Sequence, residues 1–145
     1  NTQDLDGKSL PRAPEYTFGL GSNLLYPIGD LNFNFRTDLF WSDDYQLETT
    51  NSPFLVQDSY VRVDASASLE TMDGRWRVAL IGRNLTDEDI GVFGATRGFT
   101  NDNLATIQRL RSWGGEVTYR RGGKALATIS QYVAEPGDNL ANAST

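Results

Sequence analysis

The side chains of this chain best suited to chemistry are arginines and aromatic rings; nucleophiles paired with bases are not among them. Arg109 and Arg111 stand two apart, at the loop end of the last expected strand. A guanidinium offers a planar fork of donors that holds a carboxylate or phosphate in two-point contact. Upstream, Phe93, Arg97 and Phe99 add ring faces and a further cation within one long loop. These five residues are the candidates for contact with a ligand, although Asp87, Glu88 and Asp89 offer the two later arginines ordinary ion-pair partners. The chain has no His and no Cys. That removes the commonest general base, the commonest metal ligand, thiolate chemistry and disulfides. With no nucleophile–base pair in view, no catalytic residue is nominated and no enzyme is expected.

Three short motifs carry little. Asp4-Leu5-Asp6-Gly7 has the opening of a calcium loop without its later ligands or terminal Glu. Gly122-Gly123-Lys124 lacks the strand–loop–helix setting of a phosphate loop. Asn84-Leu85-Thr86 matches a glycosylation sequon by chance; Asn84, Thr86 and Asp87 read better as residues that bond local backbone and stop a strand. No metal and no cofactor are expected. The net charge of −6 argues against a nucleic-acid partner.

The elements that must position these residues alternate with period two. In the segment 16–26, Tyr16, Phe18, Leu20, Leu24 and Tyr26 share one parity. Leu31, Phe33, Phe35, Leu39 and Trp41 do so in the next segment, opposite Asn32, Asn34, Arg36 and Asp38. Val61, Val63, Ala65, Ala67 and Leu69 oppose Arg62, Asp64, Ser66, Ser68 and Glu70. Trp76, Val78 and Leu80 oppose Arg75, Arg77 and Arg83. A last strand is expected within 106–121, with Trp113, Val117 and Tyr119 opposite Ser112, Glu116 and Thr118. Tight turns fall near 27–30 and at Asp73-Gly74, a strong hairpin signal. Long loops fill 43–57 and 85–104, and no segment has helical period.

A soluble sheet also has one apolar and one polar face, so a soluble β-sandwich or a lipocalin-like small-ligand module is the alternative architecture. Four features favour a membrane wall instead. The alternating stretches run about twelve residues, where soluble strands average about five or six and bilayer-crossing strands need about nine to eleven. Connections alternate short and long, as in outer-membrane barrels. Trp and Tyr cluster near strand ends on the apolar parity, where interfacial rings belong. The polar parity carries charges of both signs, which suits a wet interior. About five long strands cannot close a barrel whose smallest bacterial form uses about eight, so the chain is read as a piece of a larger wall. It begins at Asn1 with neither an initiator Met nor a signal peptide, which fits that reading.

The ordered runs "GKSLPRAPEYTFGLGSNLLY", "YVRVDASASLE…WRVALIGRNLTDED" and "RSWGGEVTYR" resemble the C-terminal end of TonB-dependent outer-membrane receptors. The resemblance covers residues 7–26, 60–87 and 111–120. It implies an all-β, antiparallel up-and-down transmembrane barrel of 22 strands, of which residues 1–121 would be the last five. It implies a plug domain and a TonB-contacting segment, both outside this chain, a bacterial outer-membrane location with lipid around the wall, and energy from the TonB complex. The expected activity is active uptake of a scarce small ligand, such as an iron–siderophore complex, cobalamin or a glycan. In this family the final strand ends in an aromatic; here Arg121 stands there, and residues 122–145 are read as a disordered tail.

Overall fold

The computed structural model describes residues 9–49, 52–96, 103–122 and 124–134. Every regular element among them is a strand. The long ones are β1 (Thr17–Ile28), β2 (Leu31–Ser42), β5 (Tyr60–Thr71), β6 (Trp76–Arg83), β9 (Ser112–Arg121) and β10 (Lys124–Ala134). They form one six-stranded sheet in the order β1-β2-β5-β6-β9-β10. Short ribbons lie in the long connections: β3 (Tyr45–Gln46) with β4 (Val56–Gln57), and β7 (Gly91–Thr96) with β8 (Asn103–Ile107). The pattern is up-and-down, with hairpins alternating with long excursions. Among the described residues no helix is long and apolar enough to cross a membrane, which says nothing about crossing by strands.

The hairpins follow from their turn residues. Gly29 closes β1–β2 at φ +58 and Gly74 closes β5–β6 at φ +67, a region open to glycine at little cost. At the second turn Asp73 Oδ1 accepts from the Thr71 hydroxyl at 2.6 Å and from the Arg75 amide at 3.0 Å. Those bonds, the Thr71 hydroxyl first, hold the Asp73 carboxyl below its ordinary pKa.

Register is explicit across the second half of the sheet. Ala67 faces Leu80, which faces Gly115, which faces Gln131. The next row along is Leu69, Val78, Val117 and Ile129. A third row sets Ala65, Gly82, Trp113 and Val133 together. Gly82 has no Cβ because one there would lie 2.6 Å from Leu85 and 2.9 Å from the Trp113 ring. These rows form the apolar parity, and that parity is the open one: Val78 is 52% and Leu80 55% exposed, whereas Ala79 and Thr118 on the other parity are 4%. In water such an arrangement is inverted. Facing acyl chains, it is the expected one.

The chain divides into two compact units. One takes in the described residues of 1–18, 40–61 and 89–108, the other those of 19–39, 62–88 and 109–145. The first holds most of the buried apolar side chains. Leu47, Leu55, Tyr60 and Ile90 are buried there. Leu47 N–H donates to Leu55 O at 2.9 Å, Gly94 N–H to Leu47 O at 3.3 Å, and Gly91 N–H to the Gln57 side-chain carbonyl at 2.6 Å. Gly91 and Gly94 are glycines because a Cβ at either would come within 2.9 Å of Leu47. The connections read from sequence as irregular loops are therefore packed ribbons.

Two further expectations change. The stretch 106–111 is not the start of the last strand: Thr106 and Ile107 belong to β8, and β9 begins at Ser112. The sheet also does not end at Arg121. Residues 124–134, read as tail, form β10 antiparallel to β9, after a turn with Gly122 at φ +62. The segment "ATISQYV" continues the alternation, setting Thr128 opposite Thr118 and Ile129 opposite Val117. That period is short and interrupted by a register shift between Ala125 and Ala127, which hides it in the sequence. Residues 135–145 lie outside the described residues.

Candidate functional site

Two settings gather polar chemistry, one in each unit. On the sheet's charged parity, Arg77 reaches Glu116 at 2.7 Å and Arg120 reaches Glu70 at 2.9 Å. Arg36 forks onto Asp38 through two nitrogens, at 2.8 and 3.1 Å. A hollow of about 240 Å³ beside that fork is lined by Arg36, Asp38, Asp64, Ser66 and Arg83. Asp64 is already engaged: its Oδ1 accepts the Asn84 amide at 2.8 Å, and Arg62 stands 3.6 Å from its other oxygen. Half-exposed pairs of this kind stabilise modestly and mainly fix register.

Asn84 ends β6, and its side chain explains why. It adopts φ +51, a left-handed conformation that Asn tolerates better than most residues. Its Nδ2 donates to Glu88 O at 2.8 Å and its Oδ1 accepts from Glu88 N–H at 3.1 Å. Asp87 N–H closes on Asn84 O at 2.9 Å. Asn84 is 3% exposed. The sequon asparagine is thus a buried corner with both amide atoms occupied, not a glycan acceptor.

In the other unit, a cavity of about 220 Å³ is lined by Arg12, Thr17, Phe40, Tyr45, Tyr60 and Val92, with Pro14 and Ser42 completing it. The rings of Phe40 and Tyr60 stand 6.1 Å apart, tilted at 45°. Tyr45 donates its hydroxyl to Gly91 O at 2.7 Å. Burial, with the Tyr60 hydroxyl as a second cause, pushes the Tyr45 pKa up to about 12. Arg12 holds φ +57 between two prolines, with its N–H on Gln46 O at 2.7 Å. Another hollow, about 410 Å³, is an apolar dent over Gly115 between Leu69, Leu80 and Val117. It belongs to the exposed greasy face.

Three of the five sequence candidates lie among the described residues, and they fall in different units. Phe93 lies exposed on β7 in the first unit. Arg109 and Arg111 belong to the second. Arg111 pairs with Asp87 at 3.2 Å, and Arg109 is exposed between β8 and β9. Arg97 and Phe99 lie outside the described residues, as does Asp4–Gly7. Sequence reasoning missed the cavity of Arg12, Tyr45 and Tyr60. Its one signal was an arginine bracketed by Pro11 and Pro14. Among the described residues no group of three or more His, Cys, Asp or Glu is placed to hold a metal.

Long antiparallel strands with an open apolar face opposite an ion-paired one define a segment of β-barrel wall, unclosed here because β1 and β10 are the edges of the sheet. The family model for the "TonB dependent receptor-like, beta-barrel" matches residues 1–85, and the chain belongs to that family. No curated protein and no solved structure matches it.

Proposed function

We propose that this chain is part of a bacterial outer-membrane receptor that takes up a scarce small ligand, such as an iron–siderophore complex, cobalamin or a glycan, with energy supplied through TonB. The family is one of transporters, and membership supports this reading. The observation that carries it is the inverted sheet: the apolar parity, from Leu69 through Val78 and Leu80 to Val117, is the open one. Lipid is the solvent that makes such a face favourable, at about 25 cal/mol per Å² removed from water. The charged parity would face the barrel interior and the plug domain.

The test is made on the full-length receptor. It should fractionate with outer membranes. Fluorophores at positions 63 and 78 should be quenched by lipid-borne probes, and fluorophores at 62 and 77 should not. The reverse pattern would sink the wall orientation. Ligand accumulation that persists without TonB would sink the transport reading.

A further inference from the structure

We propose that the apolar dent over Gly115, together with Arg121 at the end of the same face, is a seat for one glycerophospholipid. An acyl chain lies in the dent and the phosphate meets the guanidinium. The seat rests on the lipid-facing orientation of the wall and adds a defined ligand to it.

Gly115 carries the first step. Gly82, Gly91 and Gly94 are closed in by neighbouring side chains, and Gly29, Gly74 and Gly122 hold positive φ. Neither reason applies at Gly115, where a Cβ would meet nothing within 4 Å. Glycine inside a strand weakens it and often marks a place where a ligand approaches the backbone. The open space there is the hollow of about 410 Å³, walled by Leu69, Val78, Leu80 and Val117 with Phe33. Small-molecule sites run from about 300 to 1,000 Å³. Glu116 and Ser68 also border the hollow but alternate with its walls on the opposite parity. The side chains on this face of it are therefore apolar. A methylene chain fills such a trough without stranding a donor or acceptor, whereas a polar ligand would lose its hydrogen bonds there.

Toward the tight-turn end the same face changes character. Trp76 stands opposite Tyr119, their rings 4.7 Å apart and tilted at 41°. Arg121 follows Tyr119 on the same parity and is exposed. Along β9 the sequence of this face is thus open trough at Gly115, apolar wall at Val117, ring at Tyr119 and cation at Arg121. At about 3.3 Å per residue, Arg121 lies about 7 Å beyond the ring pair and Gly115 about 13 Å to the other side. A bilayer holds about 30 Å of hydrocarbon within about 40–45 Å overall, so a headgroup layer is about 5–8 Å deep and a leaflet of chains about 15 Å. Trp and Tyr mark the boundary between the two. The cation then stands at phosphate depth and the dent at chain depth. A glycerophospholipid presents an anion and an alkyl chain at that separation, and a guanidinium fork suits its phosphate. All of these residues belong to one compact unit, so the seat is built within a single body.

The test uses the full-length receptor in alkyl-maltoside micelles with two photoactivatable probes. One is phosphatidylglycerol and the other is diacylglycerol with the same labelled chain and no phosphate. Phosphatidylglycerol should crosslink to the peptides carrying Leu80 and Val117 roughly fivefold more than diacylglycerol does. It should also favour them over the peptide carrying Leu24, a leucine as exposed as Leu80. Gly115→Leu, which fills the dent, should bring crosslinking at Leu80 and Val117 down to the Leu24 level. Arg121→Gln should bring phosphatidylglycerol down to the diacylglycerol level, and it keeps the seat testable should Gly115→Leu fail to fold. Crosslinking spread evenly over the apolar face, or equal crosslinking by the two probes, overturns the seat. A receptor dimer that Gly115→Leu abolishes, with no lipid crosslinked at the dent, overturns it in favour of a second copy. Lipid quenching at positions 63 and 78 together with even crosslinking removes the seat alone. Quenching at 62 and 77 instead removes the wall orientation first.

Discussion

Replacing Asn84 by Ala should open the corner that ends β6. Two hydrogen bonds disappear, one from Nδ2 to Glu88 O at 2.8 Å and one from Glu88 N–H to Oδ1 at 3.1 Å. Each is worth about 0.5–1.5 kcal/mol net. Alanine at φ +51 adds about 1 kcal/mol of backbone strain that Asn tolerates better. The total is about 3 kcal/mol, or roughly a hundredfold in a local opening equilibrium at about 1.4 kcal/mol per decade. Hydrogen exchange on the full-length receptor should show protection at residues 85–88 falling by about that factor. Protection in the centre of β6 should be unchanged, since its ladder to β9 is intact. Asn84→Gly separates the contributions: it loses the same bonds without the strain and should lie between wild type and Ala. Wild-type protection in the Ala variant, or a Gly variant worse than Ala, would refute the assignment of this side chain as the strand stop.

Leu80→Arg, on the open apolar parity, should destabilise the receptor in bilayers by about 2–4 kcal/mol, and Ile81→Arg, one residue on and on the charged parity, by clearly less; denaturant titration of heat-modifiable folding reads both. Gly94→Ala places a Cβ 2.9 Å from Leu47 and 3.1 Å from Leu55 and should cost about 1–3 kcal/mol, seen as faster proteolysis of the ribbons; Gly115→Ala, where a Cβ meets nothing within 4 Å, should be neutral in the same assay. Tyr45 should ionise near pH 12 in ultraviolet difference titration against Tyr45→Phe. Because its folded pKa is raised, its stabilising contribution is complete below about pH 10, the ordinary tyrosine value, and is lost as pH rises toward 12; a Tyr45→Phe variant equally sensitive across that window would contradict this.

The wall was legible and the cavity was not, for physical reasons. Strand identity rests on period-two alternation, which is local, so β1, β2, β5 and β6 stand where Leu20, Phe33, Val63 and Val78 put them. Turn positions rest on single residues with special backbone, and Gly29 and Gly74 marked them. β10 escaped because a bulge at Ala125–Ala127 breaks its period early and its apolar parity contains Gln131. The ribbons escaped because their order comes from contact between distant segments. Leu47 finds Gly94, and Gln57 finds the Gly91 amide, across a separation that no local pattern encodes. The cavity is of the same kind: Arg12, Phe40, Tyr45, Tyr60 and Val92 come from five places in the chain.

That contrast follows from where the chain hides its greasy side chains. In the wall, the large apolar residues are open to the surroundings, so protein–protein burial does little to hold the strands in place. Backbone ladders and the cost of misplaced charge hold them instead. A slip of one residue would turn Arg77, Glu116 and Arg120 toward the apolar side, at a cost for an arginine of about 2–4 kcal/mol at the midplane and about 0–1 kcal/mol near the interfaces. Charge pattern alone therefore specifies the register, and charge pattern is visible in sequence. The ribbons obey the opposite rule. Leu47, Leu55 and Ile90 form an ordinary buried cluster, held by close packing on glycines, with few charges to fix it. A single chain thus combines a lipid-stabilised wall, whose register is set by polar residues, with a small conventional core that shapes the cavity. Mutations on the wall should then act through membrane assembly, and mutations in the ribbons through the cavity they frame.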